Sequence, residues 1–379
     1  MDVASLEYSR AEGWSVSPFP ALDSEQTLVL VFGGSFLVDE PSPIRELRAA
    51  FPKAKLIGCS TAGEIIGTSV KDGGLVVAVA RFAATRLASA ITPVVSSNQS
   101  REAAQRLAQQ LSAPDLQAVL VLSDGLHVNG SQLVNGFNEV LQGAAVVTGG
   151  LAGDDDRFQR TWVLNGSEPV ERHIVALGLY GHCVRVGHGS RGGWDIFGPE
   201  RRVTRASGNV LYELDGRPAL ALYQDYLGEL AAGLPATALR FPLALRAAAA
   251  EQKRLVRTVL AVSATDGSMT FAGDIPEGCL AQLMRANLDH LIDGAEEAAS
   301  MACGQGGDAD PTLAIAISCV GRRMVLGERA EEEVEVTLDQ LSAATQQVGF
   351  YSYGEISPYA SGSCDLHNQT MTLTTIHEA

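Results

Sequence analysis

Gly58-Cys59-Ser60-Thr61-Ala62-Gly63-Glu64-Ile65 returns near the other end of the chain as Gly349-Phe350-Tyr351-Ser352-Tyr353-Gly354-Glu355-Ile356. Glycine, hydroxyl, glycine, acid and isoleucine stay in register between the two copies. Fainter echoes stand at Leu151-Ala152-Gly153-Asp154 and Phe271-Ala272-Gly273-Asp274. A local pattern that recurs along one chain marks a supersecondary unit used more than once. The spacing is too irregular for a solenoid, so the pattern predicts duplicated domain halves.

Reading outward from the motif gives the unit. Residues 27–32 are a buried-strand run closed by Gly33-Gly34, and Ser42-Pro43 opens a helix with Ser42 as its expected cap. Residues 54–59 form a second strand, the Gly-Glu turn follows, and 75–82 form a third. The same order reappears with strand 118–123, helix 131–141, strand 145–148, Gly153-Asp154 and strand 161–164. It appears again with strand 312–319, helix 331–344, strand 347–352, Gly354-Glu355 and strand 370–376. Residues 255–262 and 269–272, joined at Asp266-Gly267, predict a hairpin, 220–227 a helix, and 304–311 a Gly-rich loop. Residues 1–20 predict mixed polar coil. The fold class is therefore α/β, two domains with mixed sheets flanked by helices, built from repeated strand–helix–strand–(Gly-acid turn)–strand units. The expected division is an N-terminal extension (1–26), a first domain (27–217) and a second (218–379).

Composition bounds the partners. A net charge of −16 over 379 residues disfavours nucleic acid and anionic membrane. No apolar run reaches the ~20 residues a bilayer requires, and no basic leader precedes an apolar core. Six scattered cysteines offer no zinc spacing. A cytoplasmic protein is expected.

Each Gly-acid pair has two readings, a turn whose carboxylate accepts backbone N–H groups or a member of a shared cleft at strand ends. Glu64 and Glu355 are the strongest candidates for the second. Residues 123–130 (Ser-Asp-Gly-Leu-His-Val-Asn-Gly) are the richest polar turn and lie between a strand and a helix. Their donors suit an anion, though Asn129 or Ser131 also suits a helix cap. His182 and His188 lie about 20 Å apart at strand rise and cannot share a metal without a bend. His188 opens a Gly-rich stretch with Trp194 and Phe197, which suits a flat ligand or a haem iron. His367 reads as a hydrogen-bonded strand-end histidine. Cys59 and Ser60 sit beside Glu64 without a GxSxG elbow, so a hydrolase or transferase is the weakest reading.

Residues 56–65, 147–154 and 201–216 resemble the FIST N domain, and 349–356 with Leu366-His367-Asn368-Gln369-Thr370-Met371 resemble the close of the FIST C domain. The resemblance covers most of the chain beyond the first ~25 residues. It implies a ligand-binding sensor in bacterial signal transduction and no enzyme. A subset of the family binds haem and senses nitric oxide, acting in trans on histidine kinases or cyclic-di-GMP enzymes. That implies haem b as cofactor, held without a CxxCH attachment site, with His188 as candidate iron ligand. The alternative is a sensor of an amino acid or other polar metabolite, whose carboxylate needs a basic group such as Arg191 or Arg322. Expected partners are a small molecule and a signalling protein such as a histidine kinase, with a homodimer as a further option.

Overall fold

A computed structural model describes residues 1–251, 253–303, 310–359 and 363–379; most of the expected Gly-rich loop at 304–311 lies outside them. Three copies of the unit build the main body. The first contributes strands Asp2–Ser9, Thr27–Gly33, Lys55–Ser60 and Leu75–Arg81, the second Arg86–Pro93, Leu116–Ser123, Val146–Leu151 and His173–Tyr180, and the third Val184–Arg191, Thr312–Cys319, Thr345–Ser352 and Met371–Glu378. In every copy a parallel pair is joined through a helix: Ser42–Ala50, Gly130–Leu141, or Val320–Leu326 with Ala330–Asp339. The last strand then pairs antiparallel beside the first, and the earliest strand covers the edge beyond it. The resulting mixed sheets are flanked by helices.

The copies are interlocked. The short strand after each second strand leaves its own sheet and joins a neighbour's. Glu64–Ile66 pairs with Thr345–Ser352, Gly354–Pro358 pairs with Val146–Leu151, and Val163–Asn165 pairs with Lys55–Ser60. First lends to third, third to second, second to first. The repeat is therefore threefold rather than twofold, and the middle copy is faint in sequence because Asp154 replaces the glutamate. The glycines recur because the second strands press against the first: a Cβ at Gly58, Gly149 or Gly349 would collide with the carbonyl oxygen of Val31, Val121 or Ala316. The inner faces of the three sheets meet in one core, with Phe32 and Phe350 ring centroids 4.7 Å apart.

The Phe271–Asp274 echo belongs to no fourth copy. It lies in a module inserted into the third unit, after Val184–Arg191 and before helix Leu288–Ala302. This module has its own sheet and its own apolar cluster around Leu211, Phe271 and Leu283. Its sheet draws strands from both sides of Arg217. The expected hairpin forms between Val259–Ser263 and Ser268–Phe271, but Leu255–Arg257 belongs to a separate strand paired with Leu243–Arg246. Two other expectations fail. Residues 2–9 are a strand rather than coil, and their mixed polarity is that of a half-exposed edge. Ser42 does not cap its helix: Pro41 holds the cap position and Ser42 is already the first helical residue.

Candidate functional site

The exchange of strands brings the Gly-acid turns together. The Ala62 N–H donates to the Tyr351 carbonyl (2.8 Å), the Tyr353 N–H to Leu151 (3.1 Å) and the Gly153 N–H to Ser60 (3.0 Å), closing a ring through all three units. Each acid secures its own crossing. Glu64 accepts the Thr61 hydroxyl (2.5 Å) and the Gly74 N–H (3.3 Å). Glu355 accepts the Ser352 hydroxyl (2.7 Å), the Thr370 hydroxyl (3.0 Å) and the Thr370 N–H (3.2 Å). Burial pushes both carboxyls up to about 8 despite these donors, which favours their neutral form at pH 7. Asp154 instead takes the N–H groups of Gln159 and Arg160 and pairs with Arg157 at 2.6 Å.

Above this ring lies a cavity of about 700 Å³. One wall comes from the main body, where strands Leu116–Ser123 and Thr312–Cys319 end: residues 125–130 except His127, then Leu151, Phe158, Cys319, Val320, Met324 and Tyr353. The opposite wall is the module, through Asn209, residues 233–236, Leu239, 258–260 and 271–273. Clefts at strand C-terminal ends and between bodies are where α/β proteins take ligands. The polar turn at 123–130 thus faces the cavity. Within it Asp124 accepts the N–H groups of Leu126 (2.9 Å), His127 (2.7 Å) and Arg172 (2.8 Å), so its charge is spent on shaping the turn. Asn129 caps helix Gly130–Leu141 through the Gln132 N–H (3.0 Å).

The module docks through the same helix start. Asp274 receives Asn129 Nδ2 (3.0 Å) and Gln132 Nε2 (2.8 Å), and its own N–H donates to Ser131 Oγ (3.0 Å). Arg257 reaches from the module to the Leu366 carbonyl (3.0 Å). Where the chain enters and leaves the module, Arg322 donates to the carbonyls of Gly192 and Leu291 and pairs with Glu333 (2.7 Å) at full burial. Its helix, Val320–Leu326, also lines the cavity.

The residues singled out by sequence separate widely. Arg322 is this clamp; Arg191 meets Glu297 (3.3 Å). Glu64 and Glu355 hold the ring. Trp194 is buried with its indole N–H on the Gln369 carbonyl (2.7 Å), and Phe197 packs on the module's cluster. His188 stands on the outer strand of the third sheet, opposite Thr374, with a buried Nδ1 and a pKa lowered by burial. None of these seven lines the cavity. His367 donates its Nε2 proton to the Ser357 carbonyl (2.9 Å) and burial lowers its pKa to about 4. A histidine-ligated haem does not fit the cavity, because no imidazole lines it among the described residues and His188 lies elsewhere. Cys59 and Ser60 are sealed in the core; burial raises the thiol well above its ordinary value, and Ser60 Oγ accepts the Trp162 N–H. Neither is placed to attack a substrate. Phe158, Thr258, Leu260 and Met324 line the cavity without having stood out in sequence.

Comparison with known proteins agrees with the repeated motifs. Residues 27–217 match the FIST N domain and residues 219–358 the FIST C domain. The uncharacterized protein MJ1623 of Methanocaldococcus jannaschii is 28% identical over 198 residues, which span 48% of this chain and 37% of that protein. Two structures of cyanuric acid hydrolase align along the chain, one of them the enzyme from A. caulinodans. That enzyme is 12% identical with a TM-score of 0.37, covering 100% of this chain and 98% of its own. The other is 10% identical with a TM-score of 0.30, covering 100% and 99%.

Proposed function

The chain belongs to the FIST family, and from that premise we propose that it is a sensor whose small-molecule ligand enters the cavity between the three-unit body and the inserted module. FIST domains are sensory domains of signal transduction that bind small ligands. The observation that carries the reading is the cavity's two-sided construction, with walls drawn from both bodies. A ligand there touches both at once and favours the arrangement in which both walls reach it. Binding signals only through such a difference between states. The Asp274 contacts and the Arg322 clamp are the joints through which the module's position reaches the rest of the chain. The output is contact in trans with a signalling protein such as a histidine kinase or a cyclic-di-GMP enzyme, a partner class supported by the family resemblance. No helix among the described residues is long and apolar enough to cross a membrane.

The test begins with molecules released from the purified protein by methanol and identified by mass spectrometry, then returned to it by calorimetric titration. A released molecule that rebinds at one per chain, and whose binding weakens on mutation of cavity residues, supports the reading. Stoichiometric binding unaffected by the cavity walls defeats it. A Soret band that appears with haem supply and moves with nitric oxide would replace this reading with the haem one.

A further inference from the structure

Large apolar side chains exposed to solvent are few among the described residues, and three of the six line this cavity. Phe158 (47% exposed), Met324 (45%) and Leu260 (43%) arrive from three separate elements, the second unit's acid loop, the third unit's helix and the module's hairpin. Convergence of that kind marks a binding surface, whereas scattered exposure means little.

Phe158 is also held against its own backbone preference. Its φ is +52°, a left-handed conformation that costs about 1–2 kcal/mol for a residue bearing a side chain. The surroundings impose it: Tyr353 stacks on the ring at 4.4 Å and 18° and accepts the Phe158 N–H at its hydroxyl (3.3 Å), while donating that hydroxyl's proton to the Asp155 carbonyl (3.1 Å). Asp154 fixes the next two N–H groups. Strain maintained by several contacts at a cavity mouth indicates a side chain being presented.

The polar groups restrict the charge of what is bound. Among the described residues that line the cavity, Asp156 is the one with a charged side chain, and none is a lysine, arginine or histidine. Arg157, between Asp156 and Phe158, is paired with Asp154 and Asp155 and donates to the Ser35 hydroxyl. Arg257 lies behind Gly273, with Nε and Nη1 given to the carbonyls of Asp274, Val256 and Leu366. The Asp274 carboxylate offsets its charge. A carboxylate ligand would be desolvated beside Asp156 with no cationic side chain to meet it. The N-terminal end of helix Gly130–Leu141 at the cavity offers about 0.3–1 kcal/mol, less than the several kcal/mol that desolvating an ion costs. Thr258, in contrast, is buried, lines the cavity and has a hydroxyl without a hydrogen-bond partner.

Resting on the reading of this cavity as the sensor's ligand site, we propose that the ligand is a largely apolar, ring-bearing molecule, neutral or cationic but not anionic, that packs against Phe158 and hydrogen-bonds to Thr258. This excludes a free carboxylate as the recognised group. The aromatic platform supplies area with little entropy cost, and attracts a cation through its face.

Three indoles of nearly one shape test the charge rule: tryptophol (neutral), tryptamine (cationic) and indole-3-acetate (anionic), each titrated against the full chain with the uncharged dye Nile red as competitor. Tryptophol and tryptamine are expected to displace the dye about tenfold more effectively than indole-3-acetate. Phe158→Ala should weaken both by about tenfold while leaving the melting temperature within about 2 °C, as fits a half-exposed side chain. Thr258→Val should weaken tryptophol several-fold at unchanged fold. If indole-3-acetate binds equally or better, and Phe158→Ala still weakens it, the charge rule is overturned while the cavity remains the site. If dye and indoles bind without response to Phe158→Ala, the cavity reading falls with the ligand class; if the indoles do not bind, the ligand class alone falls.

Discussion

Replacing Arg322 with methionine separates a structural clamp from a ligand contact. The guanidinium and Glu333 are both fully buried and 2.7 Å apart, and Glu333 also accepts the hydroxyls of Ser318 (2.7 Å) and Tyr351 (3.1 Å). Removing one member of such a pair leaves the other charged and poorly solvated, at about 3–5 kcal/mol. The buried Leu291 carbonyl loses its donor as well, adding about 1 kcal/mol at the low end for a buried polar group left unmet. The sum is about 4–6 kcal/mol. An unfolding entropy of about 2.1 cal/mol/K per residue over 379 residues gives about 0.8 kcal/mol/K. Arg322→Met should therefore lower the melting temperature by about 5–8 °C if the chain melts as one unit. Differential scanning calorimetry reads this directly. The double variant Arg322→Met/Glu333→Leu should recover more than half of the loss, because no charge is then stranded. A single variant melting within about 1 °C of the wild type would refute the clamp, as would a double variant no better than the single.

Glu64 and Glu355, raised by burial to about 8, bind protons more tightly folded than unfolded across the window from their ordinary value, roughly 4.3, up to about 8. Their contribution is complete below that window, declines as pH rises through it and is flat above. Glu355→Gln should therefore flatten the fall in stability between pH 5.5 and 8 measured by urea melts, and an unchanged slope would contradict the assignment. Thiol chemistry checks the sealed nucleophile candidates. Cys303 is exposed and Cys183 partly so, whereas Cys59, Cys279, Cys319 and Cys364 are buried. Iodoacetamide followed by peptide mapping should label Cys303 and Cys183 first, and rapid labelling of Cys59 in folded protein would reopen the enzymatic reading. Asp274→Ala removes acceptors for Asn129 and Gln132 and should loosen the module, seen as faster hydrogen exchange at residues 129–132 and 271–275; unchanged exchange there would remove Asp274 from the docking contacts.

The repeated unit was legible because its cause is local. A glycine whose Cβ would strike the neighbouring strand, followed by an acid that secures a crossing, must recur wherever the crossing recurs. The turn at 123–130 was legible for the same reason, since Asp124 and Asn129 bond to N–H groups two or three residues ahead. What those crossings connect was not legible. The exchange of Glu64–Ile66, Gly354–Pro358 and Val163–Asn165 among three sheets joins residues far apart in sequence, such as Glu64 with Phe350 and Val163 with Cys59. The Gly-rich stretch after His188 looked like pocket lining because glycines and aromatics suit one. Its glycines instead allow close packing at the module's entrance: a Cβ on Gly193 would strike the His290 carbonyl. Phe158 drew no notice because nothing in Arg157-Phe158-Gln159 marks a left-handed aromatic; only Tyr353, from another unit, makes it one. Thr258 stands out only once Leu255–Arg257 and Val259–Ser263 diverge to different partners.

Hydrogen exchange with and without saturating tryptophol tests most directly whether one ligand engages both bodies. The account predicts joint protection of residues 125–130 and 319–324 in the main body and of 258–260 and 271–273 in the module. Protection confined to one of the two bodies, or found only at peptides remote from the cavity, would contradict it.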